Sequence, residues 1–223
     1  MFTRDTCVIN GLLHLIVGIF SIKSLCNAIF VDDNEFNFYY DNFLIENLAI
    51  AAYLFDILVS FSNLKILSRC RNVTDVYFHH VPILIIFLLT IPTRNGTDPI
   101  CNSNNIFIFR FMQSSAALAL LSGFNESIMA FQYSKCAPDF FCSSFIMSIE
   151  YIIKIVYFSI CAIFSNIFYL VAIILASIEG NFSIFNFARL LIFFTFAIYQ
   201  YPKLFSNAIE RFTEGPRIPY DCD

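Results

Sequence analysis

Residues 155–178 have the sequence IVYFSICAIFSNIFYLVAIILASI, a run without a single charged side chain. A helix needs about 20 apolar residues to cross a hydrocarbon core roughly 30 Å thick. Because this run exceeds that length without interruption, it predicts a membrane-spanning helix. Lipid is therefore the expected solvent for a large part of the chain.

Five further apolar stretches of similar character surround this run. They lie at Val8–Val31, Phe43–Leu64, Val76–Ile91, Ile106–Phe131 and Ile184–Leu204. The short third stretch contains Pro82, which is tolerated near a helix start because first-turn N–H groups have no helical partner. The stretch Phe140–Tyr151 predicts an interfacial helix that leads into the membrane. We predict an all-α, polytopic transmembrane helix bundle with about six spans.

Composition excludes several classes of protein. Hydrophobic residues make up 58% of the chain and charged residues 13%, whereas an average soluble domain has about 25% charged residues. The net charge of −4 provides no basic surface for nucleic acid. None of the eight cysteines forms a C-x-x-C pair or a zinc-binding spacing, so we predict no metal site. At most, Cys26 and Cys101 share one side of the membrane and could pair.

Basic residues predict the orientation of the bundle. They cluster in the loop after the second span, the loop after the fourth span and the C-terminal tail, at Lys65, Arg69, Arg71, Lys135, Arg211 and Arg217. The first loop is acidic instead. Because basic loops remain on the cytosolic side, both termini are predicted to be cytosolic. The sequon Asn95-Gly96-Thr97 then lies on the opposite side, which makes Asn95 a candidate glycosylation site.

Several ionisable residues lie inside the predicted spans, where each costs about 2.5–3.5 kcal/mol to insert. At 1.5 Å per residue, Asp56 lies roughly 12 Å from the cytosolic end of its span and Glu126 about 8 Å. His79 and His80 lie about 5–6 Å deep and His14 about 9 Å. Acid–histidine pairs at one level could relay a proton, orient an imidazole as a base or hold a polar head group.

These depths give two groups of candidate site residues. His79, His80 and Asp56 are the candidate catalytic residues. Glu126, His14 and Tyr53 are the candidate substrate-binding residues. A second charged set lies near the opposite face and is interpreted as structural pairing between helices, at Lys23, Glu46, Arg110 and Arg189.

Three short motifs and the last span carry a family resemblance. Tyr53-Leu54-Phe55-Asp56 resembles an aromatic-x-x-Asp element, and His79-His80 resembles a histidine-containing segment that opens the next helix. Glu126-Ser127 followed by Phe131-Gln132-Tyr133 resembles a later acidic helix. The polar aromatic end Tyr199–Lys203 matches the last helix. In this order the motifs resemble the TLC domain family of TRAM proteins and ceramide synthases, over residues 8–210, with residues 211–223 as a short cytosolic tail.

Departures from the ceramide synthase pattern indicate which branch is nearer. Ile83 stands where those enzymes have a threonine, and no histidine follows His80. Gln132-Tyr133-Ser134 stands where the family has Asn-x-Arg. The chain is therefore nearer the small TLC-domain-containing branch, for which the resemblance implies a role in membrane lipid composition or trafficking.

The leading hypothesis is a membrane protein of lipid homeostasis that binds, senses or modifies a lipid in an intramembrane polar site. One alternative is an N-acyltransferase of the ceramide synthase type, which would use acyl-CoA from the cytosolic side. Another is a non-catalytic cargo receptor or small transporter. We expect a membrane lipid as partner, no nucleic acid and no cofactor, and location in the endoplasmic reticulum or plasma membrane. Protein partners are not predicted.

Overall fold

The computed structural model describes residues 4–62, 81–133, 144–199 and 201–214. Within those ranges the chain is helical, joined by short turns and loops, and contains no β-strand. The helices are α1 (Arg4–Phe30), α2 (Phe38–Ser62), α3 (Val81–Leu88), α4 (Ile91–Arg94), α5 (Ile106–Leu120), α6 (Ser122–Tyr133), α7 (Ser144–Val156), α8 (Ala162–Ile178), α9 (Ile184–Tyr199) and α10 (Tyr201–Glu214). A 3₁₀ turn at Pro99–Asn102 follows α4, and a π-helical turn at Tyr157–Cys161 joins α7 to α8. The predicted all-α class is thus confirmed.

Three helical segments are long and apolar enough to cross a membrane: Val8–Phe30, Ile106–Ile128 and Tyr151–Ile178. Val81–Arg94 and Ile184–Tyr199 are shorter apolar helical segments. These helices indicate a membrane protein, as the sequence predicted.

Helix α1 shows the inverted polarity expected of a helix in lipid. Its exposed face carries large aliphatic side chains at Ile9, Leu12, Ile16, Ile19 and Ile22. Its buried face carries the polar side chains Asn10, His14, Ser21 and Ser24. A large apolar surface facing outward is unfavourable in water and favourable against acyl chains. The polar groups of α1 therefore belong to the interior of the bundle.

Helix α5 lies at the centre of the bundle and packs against α1, α2 and α8. The buried apolar residues form two clusters around it. The first joins α1, α2, α3 and α5 and includes Val17, Ala52 and Phe87. The second joins α5 with α8 and α9 and includes Met112, Ala176 and Leu190.

Glycine allows α1 and α6 to pack closely. A Cβ atom added to Gly123 would lie 2.6 Å from the backbone carbonyl oxygen of His14. Small residues let helix backbones approach in membranes, where van der Waals packing drives association. The pair Ser122-Gly123 also explains why the predicted fourth span is interrupted at Leu121, since Gly/Ser pairs weaken a helix locally.

Other predicted boundaries differ from the structure. The third predicted span ends at Leu88 rather than Ile91, and residues 76–80 lie outside the described residues. Of the stretch predicted as an interfacial helix, residues 140–143 lie outside the described residues and the rest lies in α7, which continues through the π turn into α8 as one helical run. The sixth predicted span comprises α9 and the first residues of α10, and residue 200 between them lies outside the described residues. The amphipathic helix α10 then continues to Glu214, so the predicted tail is helical as far as it is described.

Candidate functional site

A cavity of about 50 Å³ lies between the two core clusters, inside the bundle. Its apolar wall is built from Ile83, Ile86, Phe87, Met112, Ala116, Ala119, Leu120, Phe193 and Phe196. Its polar lining comprises Glu46, Tyr53, Ser115, Ser122, Tyr157, Tyr169, Arg189 and Tyr201. Glu46 and Tyr53 are seven residues apart on α2, which places them about 10 Å apart along the helix axis. The cavity is therefore elongated, with a charged end at Glu46 and a tyrosine-rich end at Tyr53.

Glu46 organises the charged end and is completely buried. One carboxylate oxygen accepts hydrogen bonds from Asn42 Nδ2 at 3.1 Å and Arg189 Nη2 at 3.3 Å. The other oxygen accepts one from Arg94 Nη2 at 3.0 Å. A buried carboxylate requires such pairing because its desolvation is costly. The prediction that charges of this set pair between helices is confirmed for Glu46 and Arg189, and Arg94 is a second partner of Glu46.

Arg94 is well satisfied and does not line the cavity. Its Nε donates to Thr90 Oγ1 at 2.9 Å, and its Nη1 donates to Asn47 Oδ1 at 2.5 Å. The guanidinium also lies over the ring of Phe43, 5.0 Å from its centroid. All three guanidinium nitrogens of Arg94 thus have partners, which makes it a structural counter-charge for Glu46.

Arg189 differs because it lines the cavity and keeps unused donors. It is 4% exposed, and its guanidinium lies 5.1 Å from the ring centroid of Tyr169. Its hydrogen bonds to Glu46 and to Asn186 Oδ1 are long, at 3.3 and 3.5 Å. Its buried Nε has no hydrogen-bond partner in the described part of the chain. Arginine carries five N–H donors, so Arg189 can bind a further acceptor.

A second buried carboxylate, Asp98, joins this network through Asn186. Asp98 is 1% exposed and accepts hydrogen bonds from the Ile100 backbone N–H at 3.0 Å and from Ser183 Oγ at 2.6 Å. Asn186 Nδ2 donates to it at 3.1 Å, and Tyr169 donates to Asn186 Oδ1 at 2.6 Å. Counting formal charges, Glu46 and Asp98 balance Arg94 and Arg189.

Tyrosine hydroxyls surround the opposite end of the cavity. Tyr157 donates to the Ala119 carbonyl oxygen at 2.8 Å. Ser122 lies within hydrogen-bonding reach of both Tyr53 and Tyr157, and Tyr201 is within reach of Tyr157. Tyr157 begins the π-helical turn, a feature frequent at functional sites. This end can interact with a polar group, and its polar lining among the described residues, Tyr53, Ser122, Tyr157 and Tyr201, is uncharged.

Three of the candidate residues predicted from sequence, His14, Asp56 and Glu126, lie near Tyr53, which itself lines the cavity. The His14 ring packs edge-on against the Tyr53 ring, with centroids 5.3 Å apart. Asp56 is buried and accepts a hydrogen bond from Asn10 Nδ2 at 3.1 Å. The buried carboxylates of Glu126 and Asp56 both lie close enough to Tyr53 to interact with it electrostatically. His79 and His80 lie outside the described residues.

Sequence reasoning missed the polar residues that complete the charged end. Arg94, Asp98 and Asn186 are not among the candidate residues predicted from the sequence. Asp98 precedes Pro99 and caps the 3₁₀ turn with its side chain, a local signal that could have been recognised. No sequence pattern would have indicated that Arg94 reaches Glu46.

The loops at this end of the bundle are also tied together. Glu179 accepts hydrogen bonds from Ser103 Oγ at 2.5 Å and from Asn105 Nδ2 at 2.8 Å. These hydrogen bonds lower the pKa of Glu179, with Ser103 contributing most. Arg110 donates to the Ala28 and Val31 carbonyl oxygens near the end of α1 and pairs with Asp33 at 2.7 Å. Three loops of the chain therefore meet on one face.

Among the described residues no cluster of side chains could bind a metal ion, and the cysteines with described side chains are free thiols. Cys26 and Cys101 are both free thiols, so the disulfide considered from the sequence is not formed. Cys101 Sγ instead donates to the Thr93 carbonyl oxygen at 3.4 Å. No three His, Cys, Asp or Glu residues converge in the described part. Asn95 is exposed in the turn that contains Gly96.

Comparison with known protein families, with curated proteins and with solved structures finds no match for this chain.

Proposed function

We propose that this protein is a multi-pass membrane protein of lipid homeostasis, which binds the polar end of a lipid in the cavity between Arg189 and Tyr53. In this proposal about six spans cross the bilayer, both termini are cytosolic and the host membrane is the endoplasmic reticulum or plasma membrane. The distribution of basic loops supports that orientation.

The observation that carries the proposal is a mostly apolar cavity with a buried, incompletely hydrogen-bonded arginine at one end. Ligand sites are usually apolar clefts with a few placed polar groups. An ionisable side chain inside a membrane bundle is costly and marks a functional path by default. Arg189 is such an ionisable side chain, because it is 4% exposed, and it is also one of the polar groups that line the apolar cavity.

The size of the cavity limits which part of a lipid it accepts. A cavity needs about 10–15 Å³ to hold one water molecule. A volume of about 50 Å³ therefore accommodates only a few heavy atoms. The polar end of a lipid and its first carbons fit this size, whereas a complete acyl chain would extend beyond it. The similarity of Tyr53–Asp56 to the TLC domain supports a lipid as the ligand.

Filling the cavity tests this proposal. Ala116 lines the cavity wall and is 8% exposed, so Ala116→Leu would occupy the space. Ala51 is exposed on the outer face of α2, so Ala51→Leu adds the same carbons without entering the cavity. The assay is crosslinking of a photoactivatable, clickable fatty-acyl lipid to protein in nanodiscs.

We expect Ala116→Leu to reduce the crosslinking yield several-fold, while Ala51→Leu leaves it at the wild-type level. Thermal unfolding of both variants, together with Ala119→Leu at a second position of the wall, separates filling of the cavity from loss of fold. Equal yields from folded Ala116→Leu, Ala119→Leu and Ala51→Leu would refute lipid binding in the cavity.

A further inference from the structure

The two arginines that pair with Glu46 are not equivalent. Each guanidinium nitrogen of Arg94 has a hydrogen-bond partner, and Arg94 lies outside the cavity lining. Arg189 lines the cavity, donates to Glu46 and Asn186 at the long distances of 3.3 and 3.5 Å, and retains a buried Nε without a partner in the part of the chain that the structure describes. Leaving a buried donor unpaired is unfavourable, so a ligand that supplies an acceptor to this donor is stabilised at the site.

The charge around Arg189 decides what kind of acceptor fits. Glu46 and Asp98 formally balance Arg94 and Arg189, and all four groups belong to one connected network. A ligand anion would add an uncompensated charge close to the completely buried carboxylate of Glu46. Like charges in a poorly solvated site repel strongly. An uncharged acceptor satisfies Arg189 without that repulsion.

We infer that the ligand of this cavity is an uncharged amphipathic lipid that presents a neutral acceptor oxygen, such as an ester or amide carbonyl, to Nε of Arg189. This inference rests on the proposed function and names the ligand class for the same cavity. The apolar wall formed by Ile86, Phe87 and Met112 would contact the carbons next to the carbonyl group. The polar group thus lies at Arg189 and the chain extends away from Glu46.

Three competitors of matched chain length test the inference on the unmodified protein. Methyl palmitate carries a neutral carbonyl, hexadecanesulfonate carries a permanent anion, and hexadecane has no acceptor. Each is titrated against crosslinking of the photoactivatable acyl lipid in nanodiscs of neutral phosphatidylcholine. A hydrogen bond from a charged donor corresponds to a preference of about tenfold or more for methyl palmitate over hexadecane.

Two variants test whether Arg189 causes the preference for methyl palmitate over hexadecane. Arg189→Lys keeps a cation for Glu46 and removes the guanidinium Nε, so the preference for methyl palmitate should fall to about one. Arg110 lies near the end of α1, outside the cavity lining, so Arg110→Lys should keep the preference. Thermal unfolding checks that the variants are folded. If a variant does not fold, the competitor series on wild-type protein still tests the inference.

The outcomes separate the two proposals. If none of the three compounds competes, lipid binding in the cavity is itself refuted. If hexadecane competes as well as methyl palmitate, lipid binding stands and the role of Arg189 as donor is wrong. If hexadecanesulfonate competes best, the charge-balance argument is wrong. A preference that persists in folded Arg189→Lys would also overturn the inference.

Discussion

The carboxylate of Glu46 and the guanidinium of Arg189 lie 3.3 Å apart although 143 positions separate them in the chain. Both side chains are at least nine-tenths buried, and Arg94 contacts the same carboxylate from a third helix. The contact links α2, α4 and α9 at the charged end of the cavity. It connects the stability of the bundle with the chemistry of the candidate site.

Removing the charge of Glu46 should destabilise the protein strongly. Glu46→Gln leaves the guanidiniums of Arg94 and Arg189 without their shared counter-charge, and breaking a buried ion pair from one side costs about 3–5 kcal/mol. We expect a clear fall in the thermal unfolding midpoint in nanodiscs. Glu35→Gln removes an exposed carboxylate of the first loop and serves as the control. Equal midpoints for the two variants would contradict the structural role of Glu46.

Replacing Gly123 should separate α1 from α6. The added Cβ of Gly123→Ala would lie 2.6 Å from a backbone oxygen, which cannot rotate away. Overpacking of this kind costs about 1–3 kcal/mol. In Gly18→Ala the added atom meets the Phe124 ring at 2.9 Å, and that ring can move. In mixed micelles Gly123→Ala should be less stable to unfolding than Gly18→Ala. The reverse order of stability would count against close backbone packing of α1 and α6.

Acidification should weaken the loop contacts of Glu179. Hydrogen bonds from Ser103 and Asn105 lower the pKa of Glu179 in the folded state. The associated stability is present above the unfolded pKa of about 4.3 and is lost as the pH falls through the lower folded value. We expect the thermal midpoint of wild-type protein to fall more steeply below pH 5 or so than that of Glu179→Gln. Parallel pH profiles would show that these hydrogen bonds do not contribute.

Glycosylation tests the predicted orientation. Asn95 is exposed next to Gly96, as an acceptor site requires. After expression in a eukaryotic cell we expect a glycan that endoglycosidase removes and that Asn95→Gln and Thr97→Ala abolish. Thr97→Ser preserves the sequon and should retain the glycan. Asn72-Val73-Thr74 is a second sequon, in the loop predicted to be cytosolic. A glycan lost in Asn72→Gln instead would place both termini on the opposite side.

The histidine pair is the remaining test of the family resemblance. His79 and His80 resemble the histidine segment of the TLC domain in sequence only and lie outside the described residues. Replacing both with alanine should alter the cellular lipid profile while the protein is expressed at its normal level. Phe78→Ala, at the adjacent position, is the control. An unchanged lipid profile would remove these residues from the proposed function.

Several features of the site could be predicted from the sequence because they depend on single helices. The cost of an ion in lipid singled out Glu46, Asp56, Glu126 and Arg189 as residues that need partners, and all four are buried. The pairing of a carboxylate with an arginine between helices was predicted because both lie near the same face of the membrane. Arg94 and Asp98 could not be predicted in the same way, since both stand in a polar segment that looks like an exposed loop.

The sequence by itself determined that the chain is helical and membrane-embedded, because the length and apolarity of each run settle those properties locally. Only the tertiary structure decided which polar groups share a cavity. Side-chain partners such as Glu46 and Arg189 depend on helix rotation and close backbone approach, which in turn depend on residues as distant as Gly123 and His14. The hydropathy of a helix does not specify its rotation about its own axis. The unpaired Nε of Arg189 could therefore be identified only from the packed helices.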